Sequence, residues 1–141
     1  MKGSAVRVRI AQSGEYPRLI ALYRAWGYQG EITSADIVYV AEQDTRTIGL
    51  VRRTLEEGTV MLRGMQVERS HQRRGVGSRL LDAFVTDLSE AECYCIPFSH
   101  LTSFYQRGGF AVIEESQAPR FLAERLRRYR ERGRDVLIMR R

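Results

Sequence analysis

Lysine is almost missing from this chain: of 23 basic residues only Lys2 is not an arginine. That removes any Gly-Lys-Ser/Thr ending and with it a P-loop for nucleotide phosphates. Two cysteines, Cys93 and Cys95, are too few to close a four-ligand zinc site. They stand two apart in a β-rich stretch, where neighbouring side chains on one strand face are poorly placed for a disulfide, so two reduced, buried thiols are expected. No apolar run reaches the ~18 residues a membrane helix needs, which excludes a spanning segment. Residues 1–11 are basic and alternating rather than one apolar block, unlike a secretory leader, and the expected location is cytoplasmic. Prolines number three, and no Pro/Gly/Ser-rich linker, internal repeat or low-complexity tract divides the sequence.

What is present suits one ordinary domain, residues 1–141. The length is typical, burying roughly two-thirds of the unfolded surface, and 43% hydrophobic residues can build a core. The formal net charge of +6 invites a nucleic-acid partner. The densest arginine run, Arg125-Leu126-Arg127-Arg128-Tyr129-Arg130-Glu131-Arg132, nevertheless lies in a helix whose Phe121, Leu122, Leu126 and Tyr129 form a packing stripe. Its arginines fall mainly on the solvated side, and aromatic interleaving is missing, so nucleic-acid binding is disfavoured.

Hydrophobic periodicity predicts an alternating order of elements. A strand over 5–11 precedes a helix over 15–26, with a short second helix opening at 33–35. Strands over 37–42, 47–54 and 59–67 are joined by turns at 43–46 and 55–58. Then come helix 76–88, strand 92–96, helix 100–106, strand 110–114, a helix opened near Pro119 and a strand over 135–140. This is an α/β chain with a mixed, mostly antiparallel central sheet and helices on both faces.

The chemistry concentrates at Gln72-Arg73-Arg74-Gly75-Val76-Gly77, between the strand ending at Val67 and the helix carrying Val76, Leu80, Leu81, Phe84 and Leu88. Two glycines there permit a tight turn with uncovered amides, beside a helix N-terminus whose first N–H groups lack partners and carry partial positive charge. Such a joint binds anions, a phosphate-bearing cofactor above all. A Rossmann fingerprint would need glycine where Leu80 stands.

Val67, the Gln72–Gly77 run and Leu80-Leu81 together resemble the acetyl-CoA signature of the GNAT superfamily of N-acetyltransferases, Gln/Arg-x-x-Gly-x-Gly/Ala. About thirty residues on, Phe104-Tyr105-Gln106-Arg107-Gly108-Gly109-Phe110 resembles that family's Phe-Tyr-x-x-x-Gly-Phe landmark. The resemblance extends over most of the chain and is strongest from Met61 to Ile113. It implies a GNAT-like acyl-CoA N-acyltransferase fold that uses acetyl-CoA and no metal, transferring the acetyl group to a primary amine of a small molecule or peptide.

Family implications then attach to individual residues. The pyrophosphate would lie on the amides of Arg73, Arg74, Gly75, Val76, Gly77 and Ser78, with Arg79 nearby and Gln72 opening the loop. Met65, Gln66 and Val67 would pair with the peptide-like pantetheine arm as a strand edge. Phe104 would flank the thioester, and Tyr105 would protonate the leaving thiolate. Ser99 stands where many members keep an asparagine on the pantetheine. The glutamate bases of the histone- and ribosomal-protein-modifying branches have no counterpart, since Met61 and Cys93 occupy the matching stretches. Glu42, Glu68, His71, His100 and Glu114 stay open as bases. The acceptor pocket would draw on residues 18–32 and the loops at Pro97 and Pro119, with Tyr23, Trp26 and Tyr28 either lining it or packing in the core. A homodimer through the last strand stays open, as does a non-catalytic acyl-CoA-binding module.

Overall fold

A computed structural model describes residues 5–141. The chain gathers into two compact units divided between Ser89 and Glu90. Every strand pairing within either unit is antiparallel. The α/β class and the mostly antiparallel pairing expected from periodicity are both present.

The first unit holds β1 (Arg7–Ile10), α1 (Tyr16–Ala25), β2 (Ile37–Gln43), β3 (Arg46–Glu56), β4 (Thr59–Val67) and α2 (Val76–Leu88). Its strands pair in chain order, with Val40 opposite Leu50 and Glu56 opposite Thr59. Both hairpin loops have two residues at positive φ, Asp44 (52°) with Thr45 (64°) and Glu57 (49°) with Gly58 (76°). Such loops match the right-handed twist of the strands they join. The strands therefore run closer to the turns than the sequence pattern indicates.

Side-chain alternation sorts the two helices onto opposite faces of this sheet. Val38, Val40 and Leu50 point one way and pack with Leu19 and Tyr23 of α1, together with Ala11 and Ile32. Tyr39 and Gly49 point the other way, onto α2, where the Tyr39 and Phe84 rings lie 5.6 Å apart. A β-carbon at Gly49 would sit 3.0 Å from Leu80 and 3.2 Å from Val76, so glycine is what lets the start of α2 descend onto β3. In α2, Val76, Leu80, Leu81, Phe84 and Leu88 are all buried, the face that their spacing marks out.

The expected helix at 33–35 does not form. The Thr33 amide and hydroxyl both donate to the Asp36 carboxylate, at 3.0 and 3.1 Å, and β2 starts at the next residue. A turn closed by its own aspartate leaves no residues to propagate a helix. The first strand is likewise shorter than residues 5–11.

The second unit holds β5 (Tyr94–Cys95), α3 (Thr102–Gln106), β6 (Ala111–Val112), α4 (Arg120–Glu131) and β7 (Met139–Arg140). β7 is central, pairing with both β5 and β6. These strands are shorter than 92–96, 110–114 and 135–140. Pro97 accepts a bond from the Leu137 amide but has no N–H to return, which interrupts the ladder beyond Cys95. In α4, Leu122, Ala123 and Leu126 are buried while Arg127, Arg128 and Arg130 are exposed, as the stripe implies. Cys93 and Cys95 are buried and not joined in a disulfide.

Candidate functional site: the strand-to-helix loop and the Tyr105 helix

Beyond Val67 the chain makes a single 3₁₀ turn over Arg69–His71 and enters α2 through two backbone reversals. Arg73 has φ +63° and Gly75 has φ +81°. Gly75 is the helix N-cap and has no side chain to satisfy the first-turn amides. The amides of Val76, Gly77 and Ser78 precede the first intrahelical bond, which runs from Arg79 N–H to the Gly75 carbonyl at 3.1 Å. Gln72, Arg73, Arg74, Gly75 and Arg79 are exposed. None of Arg73, Arg74 and Arg79 forms an ion pair among the described residues. Uncapped amides, a helix dipole and unpaired guanidinium groups together make a surface for a multiply charged anion.

Val76 is buried against Gly49, so only its amide can face a ligand. The Gln72 side-chain amide donates to the Val67 carbonyl at 3.1 Å, tying the loop to the end of β4. Met65, Gln66 and Val67 are half-buried on β4, immediately after an irregularity that periodicity did not reveal. Gln66 pairs with Leu50 but Arg63 with Arg52, so three steps on β4 match two on β3. Gly64 and Met65 together oppose Val51 as a bulge. Gly64 has φ +66°, and its carbonyl accepts a 2.7 Å bond from the Tyr23 hydroxyl.

That hydroxyl belongs to a buried cluster whose members are far apart in the sequence. Tyr23 is fully buried, so it is a core residue and not an open lining of an acceptor pocket. Trp26 and Tyr28 are half-buried. Arg52, 2% exposed, donates to the Glu31 carbonyl (2.5 Å), the Asp36 carboxylate (3.0 Å) and the Tyr28 hydroxyl (3.0 Å). Its charge lies 5.9 Å from both the Tyr23 and Tyr28 ring centres. The segment 28–36 is thereby moored to β3.

The candidate bases are mostly committed elsewhere. Glu42 is held by Arg9 at 2.9 Å, and that bond draws its carboxyl below the usual range. Glu68 accepts from Arg46 at 2.6 Å and Ser70 at 2.8 Å. His71 Nδ1 stands 3.0 Å from the Ser70 hydroxyl. His100 is exposed and stacks on Phe98, with ring centres 5.9 Å apart. The Glu114 amide donates to the Gln117 side chain at 2.8 Å in a turn ahead of α4. The structure singles out none of these five.

In the second unit, Tyr105 is buried, with its ring edge-on to Phe104 (4.9 Å) and Phe110 (6.1 Å). Gly109 adopts φ +89° to turn the chain from α3 into β6, which accounts for the glycine of that motif. The Ser99 hydroxyl donates to Asp135 at 2.7 Å and retains its acceptor lone pairs. A separate open cavity of about 380 Å³, lined by Val8, Ile10, Tyr39, Asp82, Thr86 and Asp87, includes none of the expected site residues. Among the described residues, no helix is long and apolar enough to cross a membrane, and no group of His, Cys, Asp and Glu is placed to hold a metal ion.

A family model described as an acetyltransferase (GNAT) domain matches residues 34–112, from before β2 to the end of β6. No curated protein matches the chain significantly. Among solved structures, N-acetylglutamate synthase from Neisseria gonorrhoeae, complexed with coenzyme A and N-acetyl-glutamate, is 22% identical with a TM-score of 0.70. The match covers 99% of this chain and 35% of that one, so this chain spans about a third of the synthase. The ribosomal-protein-S18-alanine N-acetyltransferase from Escherichia coli is 15% identical, with a TM-score of 0.68 and coverage of 96% and 92%. Arabidopsis thaliana Naa50, in complex with the bisubstrate analogue CoA-Ac-MVNAL, is 16% identical, with a TM-score of 0.67 and coverage of 96% and 97%. At these identities the likeness is one of fold.

Proposed function

Because this chain belongs to the GNAT family of acetyltransferases, we propose that it is an acetyl-CoA-dependent N-acetyltransferase acting on a primary amine of a small molecule or peptide. The observation that carries the proposal is the Gly75-capped start of α2, with uncapped amides on Val76, Gly77 and Ser78 beside exposed arginines. Those groups fit a pyrophosphate in charge and in donor count. The neighbours complexed with N-acetyl-glutamate and with CoA-Ac-MVNAL favour an acceptor of amino-acid or peptide type. We place the reaction in the cytoplasm, in a single catalytic domain.

Acetyl-CoA supplies a thioester, an acyl group activated toward nitrogen nucleophiles. An amine with an ordinary pKa between about 8 and 10.4 must first shed its proton to attack. As the new C–N bond forms and the C–S bond breaks, the thiolate takes a proton, for which Tyr105 is the donor. Gln66 and its neighbours hold the pantetheine amides, and Ser99 offers a further hydrogen bond.

Calorimetric titration with acetyl-CoA tests the reading, comparing the wild type with Gly75→Trp. No atom lies within 4 Å of a β-carbon at Gly75, so the indole projects into the space over the loop, and φ +81° is strained for any side chain. Micromolar binding that the variant loses is expected. Absence of binding by folded wild-type protein refutes the proposal.

A further inference from the structure

Tyr23 lies on the buried side of α1, 41 residues before the carbonyl it holds. Its hydroxyl is the nearest atom to where a Gly64 β-carbon would stand, at 2.6 Å, and Arg52 Nε is 3.1 Å from the same point. Among the described residues, Arg52 Nε is buried without a hydrogen-bond partner. Gly64 is therefore seated between a phenol and a guanidinium, with its positive φ and its carbonyl direction set by them. Burial pushes the Tyr23 phenol well above its ordinary pKa, so the hydroxyl stays protonated and able to donate near neutral pH.

The bulge controls the facing of everything after it. In a regular strand, positions three apart point to opposite faces. Arg63 and Gln66 are three apart, yet their partners Arg52 and Leu50 share one face of β3. The extra residue at Gly64–Met65 turns Gln66 back to the α1 side. Loss of the bulge would move Met65, Gln66 and Val67 by one position and reverse each of them. Among the described residues, the side-chain hydrogen bond to the bulge carbonyl comes from Tyr23 alone.

We propose that Tyr23 is a positioning residue for the acyl donor: its bond to the Gly64 carbonyl fixes the β4 bulge and so the direction in which residues 65–67 meet the pantetheine arm. This role rests on the acetyltransferase reading above and goes beyond it, since Tyr23 is fully buried and acts through β4. It predicts a defect confined to one half of the cosubstrate. The phosphate loop is tied to β4 through Gln72 and Val67, but its amides belong to α2, which packs on the opposite sheet face from Tyr23.

Tyr23→Phe removes one oxygen and keeps the ring in the core. Two probes separate the halves: acetyl-CoA, and adenosine 3′,5′-diphosphate, which carries phosphates without a pantetheine arm. The expected result is a loss of about tenfold in acetyl-CoA affinity, the order of one buried hydrogen bond, with the affinity for adenosine 3′,5′-diphosphate unchanged. Equal acetyl-CoA affinity in the two proteins overturns the proposal. A parallel loss for both probes also overturns it, because it reports a general loosening of the fold. Failure of folded wild-type protein to bind acetyl-CoA at all removes the acetyltransferase reading and this role with it, a result distinct from a defect confined to the variant.

Discussion

Asp36→Ala is the sharpest probe of the buried cluster behind β4. The Arg52 and Asp36 side chains are 3% and 4% exposed and meet at 3.0 Å. At an effective dielectric of about 20, two unit charges at that distance attract by ~5.5 kcal/mol. Deleting the carboxylate leaves Arg52 with neutral partners only, the Glu31 carbonyl and the Tyr28 hydroxyl. It also strands the Thr33 amide and hydroxyl, which both donate to Asp36. Removing one partner of a buried pair costs about 3–5 kcal/mol, and Asp36→Ala should fall in that range. Urea unfolding followed by circular dichroism measures it. The Arg52→Met/Asp36→Ala double variant should cost well under the sum of the single changes, because no buried charge is then left alone. A single-variant cost below ~1 kcal/mol, or strict additivity in the double variant, would refute the claim that the pair is mutually dependent.

Three further outcomes are expected. Glu15, bonded to Arg9 at 2.6 and 2.8 Å, has its carboxyl pulled from 4.5 to about 2, first by Arg9 and then by the Gln12 amide. A depressed folded-state value means stability that is complete above pH 4.5 and is lost as pH falls toward 2. Arg9→Ala should therefore flatten stability over that window, and an unchanged slope in urea titrations would argue against the pair. Thr45→Gly, at φ +64° in the β2–β3 turn, should stabilise by about 0.5–1 kcal/mol, the relief of left-handed strain less the added chain entropy of glycine; a lowered melting temperature counts against it. Tyr105→Phe should reduce turnover by about 10²-fold or more while acetyl-CoA affinity holds, and full activity in a thiol-release assay would exclude the phenol as the acid.

Much of the first unit was legible because its signals are local. The α2 boundaries of residues 76–88 follow from the spacing of Val76, Leu80, Leu81, Phe84 and Leu88, and the turns at 43–46 and 55–58 from interruptions in alternation. The tight entry into α2 at Gly75 follows from glycine placement. What stayed hidden depends on contacts between distant positions. Nothing near Arg52 in the sequence announces Asp36 as its partner, and a β-strand pattern through Gly64 and Met65 does not disclose a bulge fixed by Tyr23. The helix expected at 33–35 was displaced by a side chain three residues from Thr33, and the β5–β7 ladder was cut short at a single proline.

The two-residue hairpins also bear on the order in which the chain folds. β2, β3 and β4 pair through neighbours close along the chain, so little loop entropy opposes this meander. The Tyr23–Gly64 bond instead closes 41 residues and needs α1 already seated. Contacts of that span are gained late when local ones are available. The meander is then the nucleus and the phenol its last fastener, so replacing Tyr23 with Phe should speed unfolding and leave the refolding rate nearly untouched. A slowed refolding arm in a stopped-flow chevron would reverse that order. The residue that aims the strand would thus act after the strand exists, as a latch on a finished hairpin.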